Sequence, residues 1–221
     1  MSFFELFKQS LPSFLKGMGV TLQMTFFALL IAIVLGMLVC FFRISKSKIL
    51  NIIASIYVDI IRGTPLLAQA FFLYFGLTAA LGFQISNTNA GIIVLALNAG
   101  AYLSEIFRSG INAVNKGQME AARSLGLPYS KAMSKVILPQ AIRIVIPSVM
   151  NQFIITLKDT TIISVIGAPE LIKAANIVAA RTFRNFEVYA MIALMYFIVI
   201  FTLTKISTYI ERRLSNGKGK R

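Results

Sequence analysis

The sequence predicts an all-α membrane protein with five transmembrane helices. Of the 221 residues, 57% are hydrophobic and only 14% are charged, apolar stretches recur at bilayer-spanning lengths, and the basic residues alternate between two sides. The chain has no His and a single Cys, Cys40. Zinc sites, His-based catalysis and internal disulfides are therefore disfavoured, and we expect no catalytic residue, metal ligand or cofactor in this chain.

Five segments are long enough to cross about 30 Å of hydrocarbon, which takes about 20 apolar residues. They are residues 17–42, 49–76, 90–107, 148–167 and 188–204. The second is interrupted by Arg62 and Pro65, and the fourth carries Lys158 and Asp159 near its centre.

The basic residues predict the orientation. Fifteen Lys and Arg fall in the loops of one side, among them Lys218, Lys220 and Arg221, six fall on the other side, and Arg62 lies within a span. The richer side is expected to be cytoplasmic, so that the N-terminus is outside and the C-terminus inside. Charges dispersed in this way favour a topology signal and a lipid partner over nucleic acid.

This orientation divides a single domain of residues 1–221. Residues 1–16 mix apolar and polar side chains as a short helix lying in the outer interface does, and residues 168–187 form a second outer amphipathic segment. Residues 108–143 are the main cytoplasmic loop.

The cytoplasmic loop has a helix–turn–helix pattern. Residues 118–125 favour helix, Gly126 supplies a left-handed stop, and Pro128 opens an amphipathic helix that Pro139 is expected to end. Small residues beside Glu120 allow another backbone to approach closely. The local pattern alone leaves two interpretations open: docking of a partner, or a helix resting on its own bundle.

The spacing within this loop resembles a family signature. The pattern is Glu120-Ala121-Ala122, three residues, Gly126, nine residues, Val136, one residue and Leu138-Pro139. It resembles the loop of the membrane subunits of ATP-binding-cassette importers. Val136 stands where that family usually has Ile. The resemblance implies that this loop, between the third and fourth spans, is a coupling helix seated on a separate ATPase. Its implied coupling residues are Glu120, Ala121, Ala122, Gly126, Tyr129 and Ala132.

Three further stretches, residues 57–69, 98–111 and 157–161, look like the subgroup that imports polar amino acids, whose members have five spans and an outer N-terminus. The chain has no Gly-x-x-x-x-Gly-Lys-Ser/Thr motif, so ATP and Mg are expected on a partner chain. The resemblance implies two ATPase subunits, a second permease subunit that is identical or closely related, and an extracytoplasmic amino-acid-binding protein. It places the chain in the bacterial cytoplasmic (inner) membrane.

The second span is predicted to break at its Gly-Thr-Pro sequence. Pro65 removes a backbone donor and Gly63 permits an unusual backbone angle, so that backbone groups, with Thr64 and Gln69, become available to a zwitterionic solute. Arg62 can pair with Asp59 on the same helix or hold a carboxylate of the solute.

Other polar residues inside spans complete the candidate site, because intramembrane charges usually pair or line a cavity. Asn98 and Tyr102 contact either the solute or another helix, and Glu105, on the same stripe, favours a structural or gating role. Lys158 and Asp159 project about 100° apart, so one of them is expected to face the pathway. The candidate substrate-binding residues are Arg62, Gly63, Thr64, Gln69, Asn98, Tyr102, Glu105, Lys158 and Asp159.

The sequence therefore predicts a membrane subunit of an importer for a polar or charged amino acid, with the particular amino acid undetermined. An ion-gradient-driven carrier or channel that uses Asp59, Glu105 and Asp159 as ion sites is the alternative, and a non-transporting scaffold is a second. An intramembrane enzyme has little support because no nucleophile–base pair is visible.

Overall fold

Ten α-helices make up most of residues 2–216, the part of the chain that the computed structural model describes. They are α1 (Phe3–Ile44), α2 (Lys48–Gly63), α3 (Leu66–Phe71), α4 (Thr78–Leu81), α5 (Asn87–Asn112), α6 (Lys116–Ser124), α7 (Tyr129–Ala132), α8 (Leu138–Ile163), α9 (Leu171–Thr182) and α10 (Asn185–Asn216). Wider π-helical turns join α3 to α4 (Phe72–Leu77) and α7 to α8 (Met133–Ile137). Lys218, Lys220 and Arg221, which entered the charge count, lie outside the described residues.

Four helical runs are long and apolar enough to cross a membrane: Phe3–Ile44, Asn87–Asn112, Tyr129–Ile166 and Asn185–Arg213. Lys48–Gly63 and Leu66–Leu81 are apolar enough only together, and they are bent by 108° at their break, so they make a fifth span if the pair crosses the membrane as one unit. The all-helical prediction is therefore confirmed for the described residues, which contain four candidate spans, or five with the bent pair. We call the end of the bundle that carries residues 113–128 the loop end, and the opposite end, with α9 and the start of α1, the far end.

The N-terminal segment is not a separate interfacial helix. It is the start of α1, which runs without a break for 42 residues and begins with a capping box between Ser2 and Glu5. Leu6 and Phe14 are buried against α9 and the beginning of α10. Because this packing continues to the first turns of α1, the helix extends beyond the charge-free stretch that the sequence marked as the span.

Pro139 does not end the helix that begins at Tyr129. The π-helical turn Met133–Ile137 precedes it, and Pro139 lies in the first turn of α8, so that one helical run extends from Tyr129 to Ile166. A widened turn changes the local hydrogen-bond pattern, which accommodates a residue that lacks an N–H. The prediction of a short helix ended by Pro139 was wrong for this reason.

Small residues bring α1 and α5 into close contact in the middle of the bundle. A Cβ atom added at Gly36 would lie 2.9 Å from the Cβ of Leu103 and 3.1 Å from the carbonyl oxygen of Gly100. Close approach of backbones is the main source of packing energy between helices in lipid. This contact holds α5, and with it Asn98 and Tyr102, at a fixed distance from α1.

Candidate functional site

The predicted break in the second span is confirmed. α2 ends at Gly63, Thr64 is extended (φ −122°, ψ 147°), and Pro65 (φ −64°, ψ 138°) caps the start of α3. Since Pro65 has no N–H, the carbonyl of Ile61 loses its helical partner. The Gln69 side chain replaces it, with Nε2 at 2.7 Å from the Ile61 oxygen and 3.0 Å from Thr64 Oγ1.

The same glutamine joins the break to the third span. Asn98 on α5 is buried and donates through Nδ2 to Gln69 Oε1 at 3.2 Å. Thr64 and Gln69 line a cavity of about 410 Å³. The remaining lining is apolar: Ile60, Ile61, Ala68, Phe72, Leu73, Leu77, Val94 and Leu97. The arrangement offers a few amide and hydroxyl groups in an otherwise apolar pocket, as small-molecule sites do.

Arg62 does not pair with Asp59 in the described part of the chain. Its guanidinium lies over the ring of Tyr102, 5.2 Å from the centroid, and the Arg62 side chain is exposed. A cation over an aromatic face is held without neutralising its charge. Arg62 therefore keeps a positive charge beside the break.

Glu105 serves as an ion-pair centre at the loop end. Its Oε2 lies 2.7 Å from Nη2 of Arg108, and its Oε1 contacts Nη1 of Arg43 on α1. These contacts tie α1 to α5, which agrees with the structural role favoured for Glu105. The sequence reasoning missed both arginine partners because it treated them only as topology signals, although the i, i+3 spacing of Glu105 and Arg108 was visible.

Lys158 and Asp159 lie on α8, apart from the other candidates. Lys158 is exposed and Asp159 is half-buried; the two make no ion pair with each other in the described chain, and neither lines the cavity. The structure thus groups Gly63, Thr64, Gln69 and Asn98 at the break and places Arg62 and Tyr102 beside it. Glu105 lies towards the loop end with its arginine partners, and the α8 pair stands alone.

One face of α8 is exposed although it contains polar residues. Ser148, Asn151, Ile155 and Lys158 are exposed and follow one another at steps of three or four residues. Polar groups on a lipid-facing surface are costly. This face therefore needs water or another protein surface against it.

Between α6 and α7 the loop makes a tight turn with a left-handed glycine, as predicted. Gly126 has φ 83° and donates its N–H to the carbonyl of Arg123 at 3.0 Å, while the N–H of Leu127 reaches the carbonyl of Ala122 at 3.2 Å. This pair of bonds is the Schellman pattern that ends a helix at glycine. The turn is therefore fixed by backbone geometry.

The six predicted coupling residues do not share one surface. Glu120, Ala121 and Gly126 are exposed, and Tyr129 is 58% exposed. Ala122 and Ala132 are instead buried. The sequence reasoning missed Leu125, an apolar side chain that is 85% exposed at the turn.

A buried carboxyl at the far end was also missed. Glu170 is 0% exposed, caps α9 by accepting from the N–H of Lys173 at 2.7 Å, and accepts from the hydroxyl of Tyr196 on α10 at 3.0 Å. Burial raises the pKa of the Glu170 carboxyl above its usual value, against the opposing effect of these hydrogen bonds. No sequence signal marked Glu170, because a single carboxylate within an amphipathic segment is ordinarily exposed.

Five spans, a polar break inside one of them and a rigid exposed turn at one end define a membrane component of a multi-chain transporter. The chain belongs to the family of binding-protein-dependent transport system inner membrane components, whose family model matches residues 28–216. Members of this family are transport subunits and not enzymes, so the predicted class, the membrane subunit of an ATP-binding-cassette importer, is confirmed. Family membership implies an ATPase, a solute-binding protein and a second permease chain as partners.

Relatives cover nearly the whole chain. The arginine transport system permease protein ArtQ of Bacillus subtilis (strain 168) is 38% identical over 207 residues, 94% of each chain. The putative glutamine transport system permease protein GlnP of Rickettsia typhi (strain ATCC VR-144 / Wilmington) is 38% identical over 200 residues, 90% of this chain and 92% of its own length. A crystal structure of an amino acid ABC transporter with histidines is 41% identical with a TM-score of 0.92, covering 96% of this chain and 99% of its own.

Proposed function

We propose that this chain translocates a polar or charged amino acid across the bacterial cytoplasmic membrane, with its N-terminus outside, its C-terminus inside and energy supplied by two ATPase subunits that bind ATP and Mg. The polar break at Thr64 and Gln69 inside a membrane span carries the proposal, because backbone irregularity at that depth is tolerated where it lines a solute pathway. The amino-acid names of the relatives support the substrate class.

We propose two sets of substrate contacts, one for each half of the solute. Thr64, Gln69 and Asn98 hydrogen-bond one another near the cavity, and with the backbone at Gly63 they would exchange these bonds for the polar groups of the solute. Arg62, held over Tyr102, offers a cation for the carboxylate. Glu105 is already engaged by two arginines and acts as a structural or gating residue.

Lys158 and Asp159 are proposed to face the same pathway from the side of a second permease subunit. The exposed polar face of α8, with Ser148 and Asn151, requires a covering surface that this chain does not provide. A second copy with its own α8 opposite would enclose an aqueous path between the two helices.

The proposed ATPase contact is the turn within residues 108–143. Glu120, Ala121, Leu125 and Tyr129 are exposed there, and the Gly126 turn holds them in a fixed arrangement, while Ala122 and Ala132 support the turn from inside. A large exposed apolar side chain such as Leu125 typically anchors a protein–protein contact in a pocket of the partner.

Transport is tested by reconstituting the chain with its ATPase in liposomes and measuring uptake of labelled arginine, glutamine and histidine presented by the binding protein. Asp159→Asn and Lys158→Met are expected to reduce uptake at least about tenfold, about 1.4 kcal/mol of coupling. Lys8→Met, an exposed far-end lysine, is the matched control. Uptake that persists without ATP or the ATPase would support the ion-gradient carrier instead, and partner binding without solute uptake would support the scaffold.

The second subunit is tested by thiol crosslinking, because Cys40 is the single cysteine and is buried. In a Cys40→Ala background, Asn151→Cys should form a covalent dimer with a short bismaleimide. Phe197→Cys, on the exposed apolar face of α10, should remain monomeric. Equal crosslinking at both positions would contradict the assignment of the α8 face.

The ATPase contact is tested by copurification and ATP hydrolysis. Leu125→Asp should abolish stable association with the ATPase, whereas Leu15→Asp, at a leucine that is 57% exposed on α1, should leave it intact. Association that survives Leu125→Asp and Glu120→Lys together would rule out this surface.

A further inference from the structure

Two phenylalanines flank the junction between α9 and α10 with their side chains almost fully exposed. Phe183 is 88% exposed and Phe186 is 83% exposed. Among the described large apolar side chains only Leu125, at the proposed ATPase contact, is comparable. Exposed aromatic groups of this size mark a contact surface.

The backbone of Phe183 is unfavourable as well. Its φ of 56° and ψ of 23° place it in the left-handed region, and it is the one non-glycine with positive φ in the described part of the chain. Gly or Asn suits this position after a helix, and a bulky side chain is strained there. A phenylalanine that is both strained and exposed indicates that the surroundings of the junction favour an aromatic side chain.

The junction directly precedes the apolar stretch of α10. Phe186 precedes the charge-free stretch of residues 188–204 by two residues, about 3 Å along the helix. The polar region of each leaflet is about 5–8 Å thick, so where this stretch begins at the hydrocarbon boundary a side chain at this distance lies among lipid headgroups.

Phe186 is also the first member of a continuous apolar face on α10. Leu194 (60% exposed), Phe197 (61%) and Phe201 (49%) follow on the same face, with Ala190 between them and Phe186. This face carries no polar residue, unlike the exposed face of α8. This face therefore suits contact with hydrocarbon. Its end at Phe186 suits the membrane interface, where aromatic residues are enriched.

The junction carries two arginines and one carboxylate, which leaves a net positive charge. Arg181 is exposed in the last turn of α9, and Arg184 lies next to Phe183, with its Nε 3.1 Å from Oε1 of Glu187. A guanidinium beside an interfacial aromatic matches a lipid phosphate in both charge and depth.

We infer that residues 181–186 form an anchor that inserts Phe183 and Phe186 into the far leaflet and binds the headgroups of anionic phospholipid through Arg181. Charge complementarity and the continuity with the apolar face of α10 favour lipid over a protein partner. The anchor would fix the height of α9, and of the Glu170 cap at its start, relative to the bilayer.

The absence of Trp from the sequence provides a clean test. Phe183→Trp and Phe186→Trp each introduce the single Trp of this chain into the full transporter complex, reconstituted in phosphatidylglycerol vesicles that carry nitroxide quenchers at shallow or deep acyl positions, and the emission of the complex without the substitution is subtracted. Quenching should be stronger with the shallow label than with the deep one, and at least about twofold stronger than for Leu125→Trp. Leu125 is the control because it lies at the loop end, where the proposed ATPase contact keeps its side chain away from lipid.

A second arm tests the headgroup contact. In the Phe186→Trp background, replacing phosphatidylglycerol with phosphatidylcholine should reduce shallow quenching, and Arg181→Gln should remove that dependence on lipid charge. Quenching of Phe186→Trp no greater than that of Leu125→Trp would overturn the anchor, as would an emission change that occurs only when an acidic solute-binding protein is added. Insensitivity to lipid charge would overturn the headgroup assignment.

Discussion

Gln69 Nε2 lies 2.7 Å from the carbonyl oxygen of Ile61, the oxygen that Pro65 leaves without a backbone donor. The side chain thus completes the hydrogen bonding of a helix that its own proline interrupts. In a membrane span, where water does not replace a missing donor, this single contact allows α2 and α3 to meet at 108° with the Ile61 carbonyl satisfied.

Replacing Gln69 by Met should therefore destabilise the chain. The change keeps the length of the side chain but leaves the Ile61 carbonyl unpaired, and the expected loss is about 1–3 kcal/mol of unfolding free energy. Thermal unfolding in detergent micelles measures it. Gln140→Met is the control, since Gln140 Nε2 donates to the carbonyl of Val136 at 2.9 Å on an exposed surface, and an equal loss in both variants would contradict the role given to Gln69.

Glu105→Gln should weaken the loop end. The amide cannot pair with both Arg43 and Arg108, and two guanidinium groups with partly buried side chains are left close together. We expect a loss of about 1–2 kcal/mol, compared with about 0–1 kcal/mol for Glu187→Gln, whose carboxylate is more exposed than that of Glu105. Denaturant unfolding of both variants provides the comparison, and an inverted order would refute the ion-pair centre.

Gly126→Ala should impair coupling more than assembly. A methyl group added at this position meets no neighbouring atom within 4 Å, so the cost is the left-handed backbone itself, about 1 kcal/mol. A shifted turn should lower ATP-driven uptake while the ATPase still copurifies. Gly19→Ala, at a helical glycine with equally open surroundings, should leave both measurements unchanged.

Stability should fall as pH rises because of Glu170. Its pKa is raised in the folded state, chiefly by burial, so the folded chain binds this proton more tightly than the unfolded chain does. The stabilising free energy from this proton is fully present below pH 4.5, the ordinary pKa of a glutamate. It is lost as the pH rises through the pKa that Glu170 has in the folded state. Unfolding temperature measured upward from pH 4.5 should decline, and Glu170→Gln should flatten the decline while Glu211→Gln, an exposed carboxylate, should not.

Features that depend on covalent chemistry near one residue were predictable from the sequence. Pro65 lacks a donor and Gly126 tolerates positive φ wherever the chain places them, so the break and the turn could both be anticipated. The spans followed from length and apolarity alone.

Features that depend on packing between distant segments were not predictable. Arg43 and Glu105 are 62 residues apart, and their pairing depends on how α1 lies against α5. Pro139 carries an ordinary stop signal, but the π-helical turn before it, stabilised by the packing of Ile137 and Val136, keeps the helix continuous. Asp59 and Arg62 had the spacing for a pair, yet the ring of Tyr102 from another helix holds the arginine instead.

The unbroken run from Tyr129 to Ile166 joins the exposed turn at one end to Lys158 and Asp159 near the other. Its 38 residues make a rod about 57 Å long. Lys158 lies about 44 Å along this run from Tyr129, so a tilt of about 5° around Tyr129 displaces Lys158 by about 4 Å. If the run tilts as one body, a small rotation imposed at Tyr129 therefore becomes a displacement of side-chain size at Lys158.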